Sequence, residues 1–152
     1  MRRLSTCVMS IAALSSLAAC QPPDDGVYIE AFLRGDHEQA VAMGENILVR
    51  AVPDHRDGFD ASRPYHGIFH YEDQCPIDHV EFPLDFALFG SDRDVVRAPK
   101  RWIMLAWMTD DTDATWPAPG ELYGVSSFTY AHDPYFGYYA EGIVVNLENI
   151  RP

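Results

Sequence analysis

Basic residues are scarce. Eleven Lys and Arg stand against 23 Asp and Glu, a formal net charge of −12 over 152 residues. That balance argues against a nucleic-acid partner held by phosphate neutralisation, because no cationic surplus exists to release counterions. Cysteine is also scarce, with only Cys7, Cys20 and Cys75. Glycine (10) and proline (11) are too few for a collagen or a low-complexity chain. No apolar run is long enough to read as a confident spanning helix. No segment recurs, so a solenoid of stacked repeats is excluded. G-x-S-x-G, H-E-x-x-H and Walker loops are all missing, and no enzymatic activity is expected. The many acidic pairs, such as Glu72-Asp73 and Asp110-Asp111, read as solvated surface in so acidic a chain.

What is present begins with a basic start, Arg2-Arg3, and a mostly apolar stretch from Leu4 to Ala19. This has the form of a secretory signal. Its end, Leu17-Ala18-Ala19-Cys20, resembles the lipobox of bacterial lipoproteins. The resemblance implies cleavage before Cys20 and acylation of its thiol and of the new N-terminus. It also implies an envelope location, on the periplasmic face of the outer membrane, since Gln21 rather than Asp follows the cysteine. Removal of residues 1–19 takes away Arg2 and Arg3 and no acid, leaving nine cations against 23 carboxylates, −14. Lipid rather than surface charge would then hold the protein on a membrane. Residues 20–26 read as a polar, lipidated tether, and 27–152 as a single domain.

With Cys7 in the signal and Cys20 lipidated, Cys75 has no partner within the chain. It is read as a buried thiol that packs like a small hydrophobe. An intermolecular disulfide, a reactive thiol and a metal ligand are the other readings.

From Val27 onward the apolar residues recur with period two, the strand period. Val27 to Arg34, Ile47 to Val52, Ile68 to Tyr71, Phe82 to Leu88, Trp102 to Met108, Leu122 to Tyr130 and Ile143 to Leu147 are the expected strands. The run Trp102–Met108 is apolar on both faces and should be a central strand covered on both sides. The fold class is therefore all-β, a sandwich of about seven strands. One short helix is expected over residues 36–43, with Asp36 as its N-cap and Gln39 at the third position.

The parts from Val80 to Leu147 are F-P-L-D-F-A-L-F at 82–89, W-I-M-L-A-W-M at 102–108, an acidic loop ending in P-G-E-L-Y-G at 119–124, and G-I-V-V-N-L at 142–147. In this order they resemble the small prealbumin-like, or carboxypeptidase-regulatory-like, β-sandwiches of secreted proteins and lipoproteins. The resemblance implies that the acidic loop is a possible calcium site, with Asp110, Asp113 and Glu121 as ligands. Counting Asp110 as position 1 puts Glu121 at position 12, but Ala114 and Ala118 then occupy positions 5 and 9, where calcium needs oxygen. The residues themselves favour a turn in which Gly120 supplies a positive φ.

His66 and His70 would lie about 13 Å apart on a strand, too far to share one ion. A metal-binding envelope protein drawing also on Cys75 and His79 is the weakest alternative. The segment Phe128–Tyr139 is rich in rings, and the Asp133-Pro134 and Gly137 turns should place Tyr135, Phe136 and Tyr138 on a loop. Together with Trp116 these could stack on a sugar or cell-wall glycan, or they could cap the end of the core. The leading expectation is a structural or adaptor role, in which a β surface meets another envelope protein.

Overall fold

The computed structural model describes residues 26–54, 59–64, 71–91, 101–135 and 137–152. Nine described strands form two sheets. The strands are β1 (Gly26–Arg34), β2 (Asn46–Pro53), β3 (Tyr71–Pro76), β4 (Leu84–Ser91), β5 (Arg101–Thr109), β6 (Leu122–Thr129), β7 (Ala131–Asp133), β8 (Gly137–Asn146) and β9 (Asn149–Ile150). One sheet has the order β4-β1-β8-β7 and the other β3-β2-β5-β6-β9. All neighbouring strands run antiparallel except β1 and β8, which are parallel. The protein is an all-β sandwich with one α-helix, α1 (His37–Met43).

The strand count exceeds the expected seven. The two additional strands are β7 and β9, of three and two residues. Neither is long enough to show a period, and each exists only because a longer neighbour offers it a ladder. The short aromatic strand expected over 68–71 is also displaced. Residues 68–70 lie outside the described residues, while Tyr71 opens β3, which continues to Pro76. Among the described strands, β3 lies at the sheet edge and pairs with β2 alone. Proline at its end and polar residues along it are tolerated there, because only one side needs a ladder.

Alternation divides the interior cleanly. Val27, Ile29, Ala31 and Leu33 of β1 face Ile47, Val49 and Ala51 of β2 and Trp102, Met104, Ala106 and Met108 of β5 across the main core. Phe86 and Leu88 of β4, with Ile143 and Val145 of β8, complete that layer. The other face of β2 and β5 is buried as well. Leu48, Val52, Ile103, Leu105 and Trp107 form a second cluster with Trp116, flanked by Phe59, Tyr123 and Val125. β5 is thus the central strand of its sheet and covered on both sides, as its doubly apolar sequence requires.

The outer face of the four-stranded sheet is different. Tyr28, Glu30, Phe32 and Val144 are half-buried, and Asp85 is exposed. The Tyr28 hydroxyl donates to Glu30 Oε2 at 3.0 Å. Partial burial and that carboxylate push the phenol up to about 12.

Helix α1 starts where the sequence places it. Asp36 takes an extended conformation, and its carboxylate accepts from the Gln39 amide at 2.8 Å. One orphan donor of the first turn is thereby satisfied. A seven-residue helix is too short to stand alone; besides the cap it has buried Ala40 and half-buried Met43, which packs against the main core. Asp36→Ala is expected to cost about 1 kcal/mol, read as a lowered denaturation midpoint with an unchanged slope. An unchanged midpoint would show that packing of Ala40 and Met43 holds the helix without the cap.

Candidate functional site

Both sheets share two common ends. At one end β1 begins, β4 finishes at Ser91 opposite Gly26, and β8 begins at Gly137, with Tyr138 beside Val27. β5 begins at this end too, with Arg101 opposite Thr129 of β6. At the other end β1 leaves for α1, β2 starts opposite Thr109, and the loop 110–121 departs. The aromatic segment lies at the first end and the acidic loop at the second.

The acidic loop is stitched together by its own carboxylates. Asp110 Oδ1 accepts from the Glu45 amide at 2.9 Å, tying the loop to the start of β2. Asp111 Oδ1 accepts from the Asp113 amide at 2.9 Å. Glu121 Oε2 accepts from the Ala118 amide at 2.6 Å. Gly120 has φ +87, the left-handed conformation expected of it. Its amide donates to the Arg151 carbonyl at 2.8 Å, and the Arg151 amide donates to the Glu121 carbonyl at 3.0 Å. The Arg151 guanidinium donates to the Pro117 carbonyl, and the buried Arg50 of β2 donates to that of Thr115. The loop is pinned on the outer face of the five-stranded sheet from both sides.

Among the described residues, no group of three His, Cys, Asp or Glu side chains is placed to hold a metal ion. Asp110 and Glu121 each cap a backbone donor, and the Asp113 carboxylate is exposed. Calcium bound there would raise stability by about 2.7 kcal/mol at a hundredfold excess over Kd. We expect millimolar calcium and millimolar magnesium to move the melting temperature equally, both acting only by screening. A calcium-specific rise abolished by Asp110→Ala would make the ion a structural cofactor. His66 and His70 lie outside the described residues, and His79 ends a 3-10 turn, Ile77–His79, with an exposed side chain.

The proposed aromatic quartet is not brought to one surface. Trp116 is buried in the second cluster, stacked on Phe59 at 5.6 Å between centroids, and its indole N–H donates to the Ala61 carbonyl at 2.8 Å. Tyr138 is half-buried at the opposite sheet, 4.7 Å from the ring of His132 and 6.5 Å from that of Tyr130. Tyr130 in turn meets Trp102 and Phe128 edge-on. These rings close one end of the main core, the capping role also read from the sequence. Tyr138 lies in β8 rather than on a loop, because its pairing with His132 and Val27 extends the strand toward the turn. Of the three that are described, Tyr135 alone is solvent-exposed, at 74%, on the turn between β7 and β8. Phe136 lies outside the described residues.

Two residues escaped the sequence reading. Phe59, the stacking partner of Trp116, sits in a segment without periodicity and carries no signal. Arg50 did carry one. It alternates with Leu48 and Val52 on a face that is otherwise apolar, which marks a buried cation in need of a carbonyl.

Cys75 is a buried thiol of the main core. It borders a shallow apolar crevice between the β3 and β4 edges, lined also by Leu33, Ile47, Leu84 and Phe86. No helix among the described residues is long and apolar enough to cross a membrane. Comparison with known proteins returned no matching family model, no similar curated protein and no similar solved structure.

Proposed function

We propose that this is a lipid-anchored envelope protein, attached through Cys20 to the periplasmic face of the outer membrane, with a structural or adaptor role and no enzymatic activity. The observation that carries the reading is the lipobox Leu17-Ala18-Ala19-Cys20, preceded by a basic start and an apolar run and followed by a short polar tether. Two or more acyl chains anchor stably where a single one holds only marginally. The sandwich supports the role with a two-sheet body that, among the described residues, gathers exposed carboxylates at the end away from the start of β1. A prealbumin-like kinship for that body rests on P-G-E-L-Y-G and the strands around it. Its Gly120 supplies the turn, and its Glu121 carboxylate caps the Ala118 amide.

The test is replacement of the acylated residue. Cys20→Ser is expected to leave uncut precursor and to abolish metabolic labelling by fatty acid. Labelling that persists in the variant would sink the anchor. For the adaptor role, the acylated protein should retain one defined envelope protein through purification in mild detergent. A monodisperse, partner-free protein with measurable turnover of any envelope substrate would refute that role.

A further inference from the structure

The two sheets differ on their outer faces. That of the five-stranded sheet is covered by Phe59, Trp116 and the loop 110–121. That of the four-stranded sheet has no such cover among the described residues. Its central strands present Tyr28, Glu30 and Phe32 of β1 beside Tyr139, Glu141 and Val144 of β8, all half-buried or exposed. We propose that this face docks a basic segment of another protein, with one arginine or lysine between Glu30 and Glu141 and an apolar residue on either side of it. The inference rests on the adaptor reading and gives it a surface and a partner chemistry.

A bulge sets the two carboxylates side by side. β1 and β8 run parallel, with Tyr28 opposite Tyr139 and Phe32 opposite Val144. Between those pairs the register slips. Ile29 meets Ala140 and Ala31 meets Ile143, so Glu30 lies opposite Glu141 and Gly142 together. Gly142 has φ +69, and nothing lies within 4 Å of its Cβ position, so the glycine serves the backbone of the bulge. Bulges re-aim side chains. This one leaves Glu141 exposed beside Glu30, across the roughly 5 Å that separates neighbouring strands. Both carboxylates act on one ring. The Tyr28 phenol, raised by partial burial and by Glu30, is raised further by the charge of Glu141.

That placement costs stability in the free molecule. Like charges on neighbouring strands repel, where opposite charges would attract. Arg34, the one described Lys or Arg of this face, is four residues from Glu30, about 13 Å along the strand. An incoming guanidinium or ammonium would offset both carboxylates and lie against the tyrosine rings by cation–π attraction. Its apolar neighbours would cover Phe32 and Val144. Charge therefore calls for a cation, and the framing side chains call for apolar residues next to it. The acidic loop offers neither match. Its Asp110 and Asp111 carboxylates accept from backbone amides, and its Trp116 is buried.

The experiment titrates the full acylated chain, isotopically labelled in a non-ionic micelle, with the blocked tripeptide acetyl-leucyl-arginyl-leucine amide. Amide chemical shifts are followed. Shifts are expected at residues 28–32 and 139–144 and not at 110–113. Glu141→Gln should weaken binding about fivefold, the worth of one exposed ion pair. The same change should raise the melting temperature of the free protein by a few degrees, because it removes the repulsion. Asp113→Asn, an equal change in net charge, should do neither. Equal shifts at 110–113, the same shifts with millimolar magnesium in place of the peptide, or an affinity indifferent to Glu141→Gln would overturn the docking face. Capture in mild detergent reads the adaptor role separately. A partner retained equally when Glu30→Gln and Glu141→Gln are combined removes this face alone, whereas no retained partner removes the adaptor role and this proposal together.

Discussion

Gly124→Ala is expected to lower the melting temperature of the mature domain by about 10 °C or more. Gly124 lies in β6 where the two sheets converge. A Cβ placed on it would stand 2.1 Å from the Asn146 carbonyl oxygen and 2.6 Å from its carbon, both backbone atoms of β8. Backbone cannot rotate aside as a long side chain can, so the sheets themselves must separate. Overpacking commonly costs 1–3 kcal/mol, and an obligatory backbone shift puts this site at about 3 or above. For a domain of this size each kcal/mol moves the midpoint by roughly 3–5 °C. Gly120→Ala is the matched control. It removes the other glycine of the same motif, one held at positive φ, yet nothing lies within 4 Å of its Cβ position. Its cost should be backbone strain alone, about 1–2 kcal/mol. Circular dichroism melts of the two variants check the difference. A Gly124→Ala midpoint above that of Gly120→Ala would mean that the sheets do not approach there as described.

Trp107→Ala is expected to cost about 3–5 kcal/mol, the range for a buried large ring, although Trp107 lies on the outer face of its sheet. In a plain two-sheet sandwich that face meets solvent and tolerates substitution. Here Trp107 is fully buried among Leu48, Leu105 and Trp116 beneath the segments around Phe59 and the acidic loop. Val144→Ala probes the corresponding face of the other sheet, where the side chain is only half-buried, and should cost less than about 1 kcal/mol. Urea titration of both variants decides the matter. Equal small losses would show the second cluster to be a loose cover rather than core. The loss at Trp107 should also free the loop, since Trp116 and the Arg50 bond to Thr115 depend on the same layer.

Strand residues were the most legible part of the chain. Period-two alternation in Val27–Leu33 and Phe86–Leu88 reports burial directly, because one face of each strand meets the core and the other does not. Double apolarity in Trp102–Met108 reported the central position of β5 for the same reason. The helix was legible because its signal is local: an aspartate one residue before the first turn, satisfied by an amide three residues on. Candidate ligand sets were the least legible. Trp116, Tyr135 and Tyr138 share a residue class, and no local signal separates one that is buried under a loop from one that projects from a turn.

By itself the sequence determined the all-β class, the strand cores, the cap of α1, the positive φ at Gly120 and the acidic balance. Each follows from spacing within a few residues or from composition, and needs no knowledge of what lies across the sandwich. Tertiary structure alone decided the parallel pairing of β1 with β8, the added strands β7 and β9, and the second cluster over β2 and β5. It also decided that the acidic loop and the aromatic turn occupy opposite ends. Those are contacts between residues far apart in the chain, such as Arg50 with Thr115 and Gly124 with Asn146. Their free energy depends on how two sheets close on one another, and that closure leaves no periodic trace in the residues that make it.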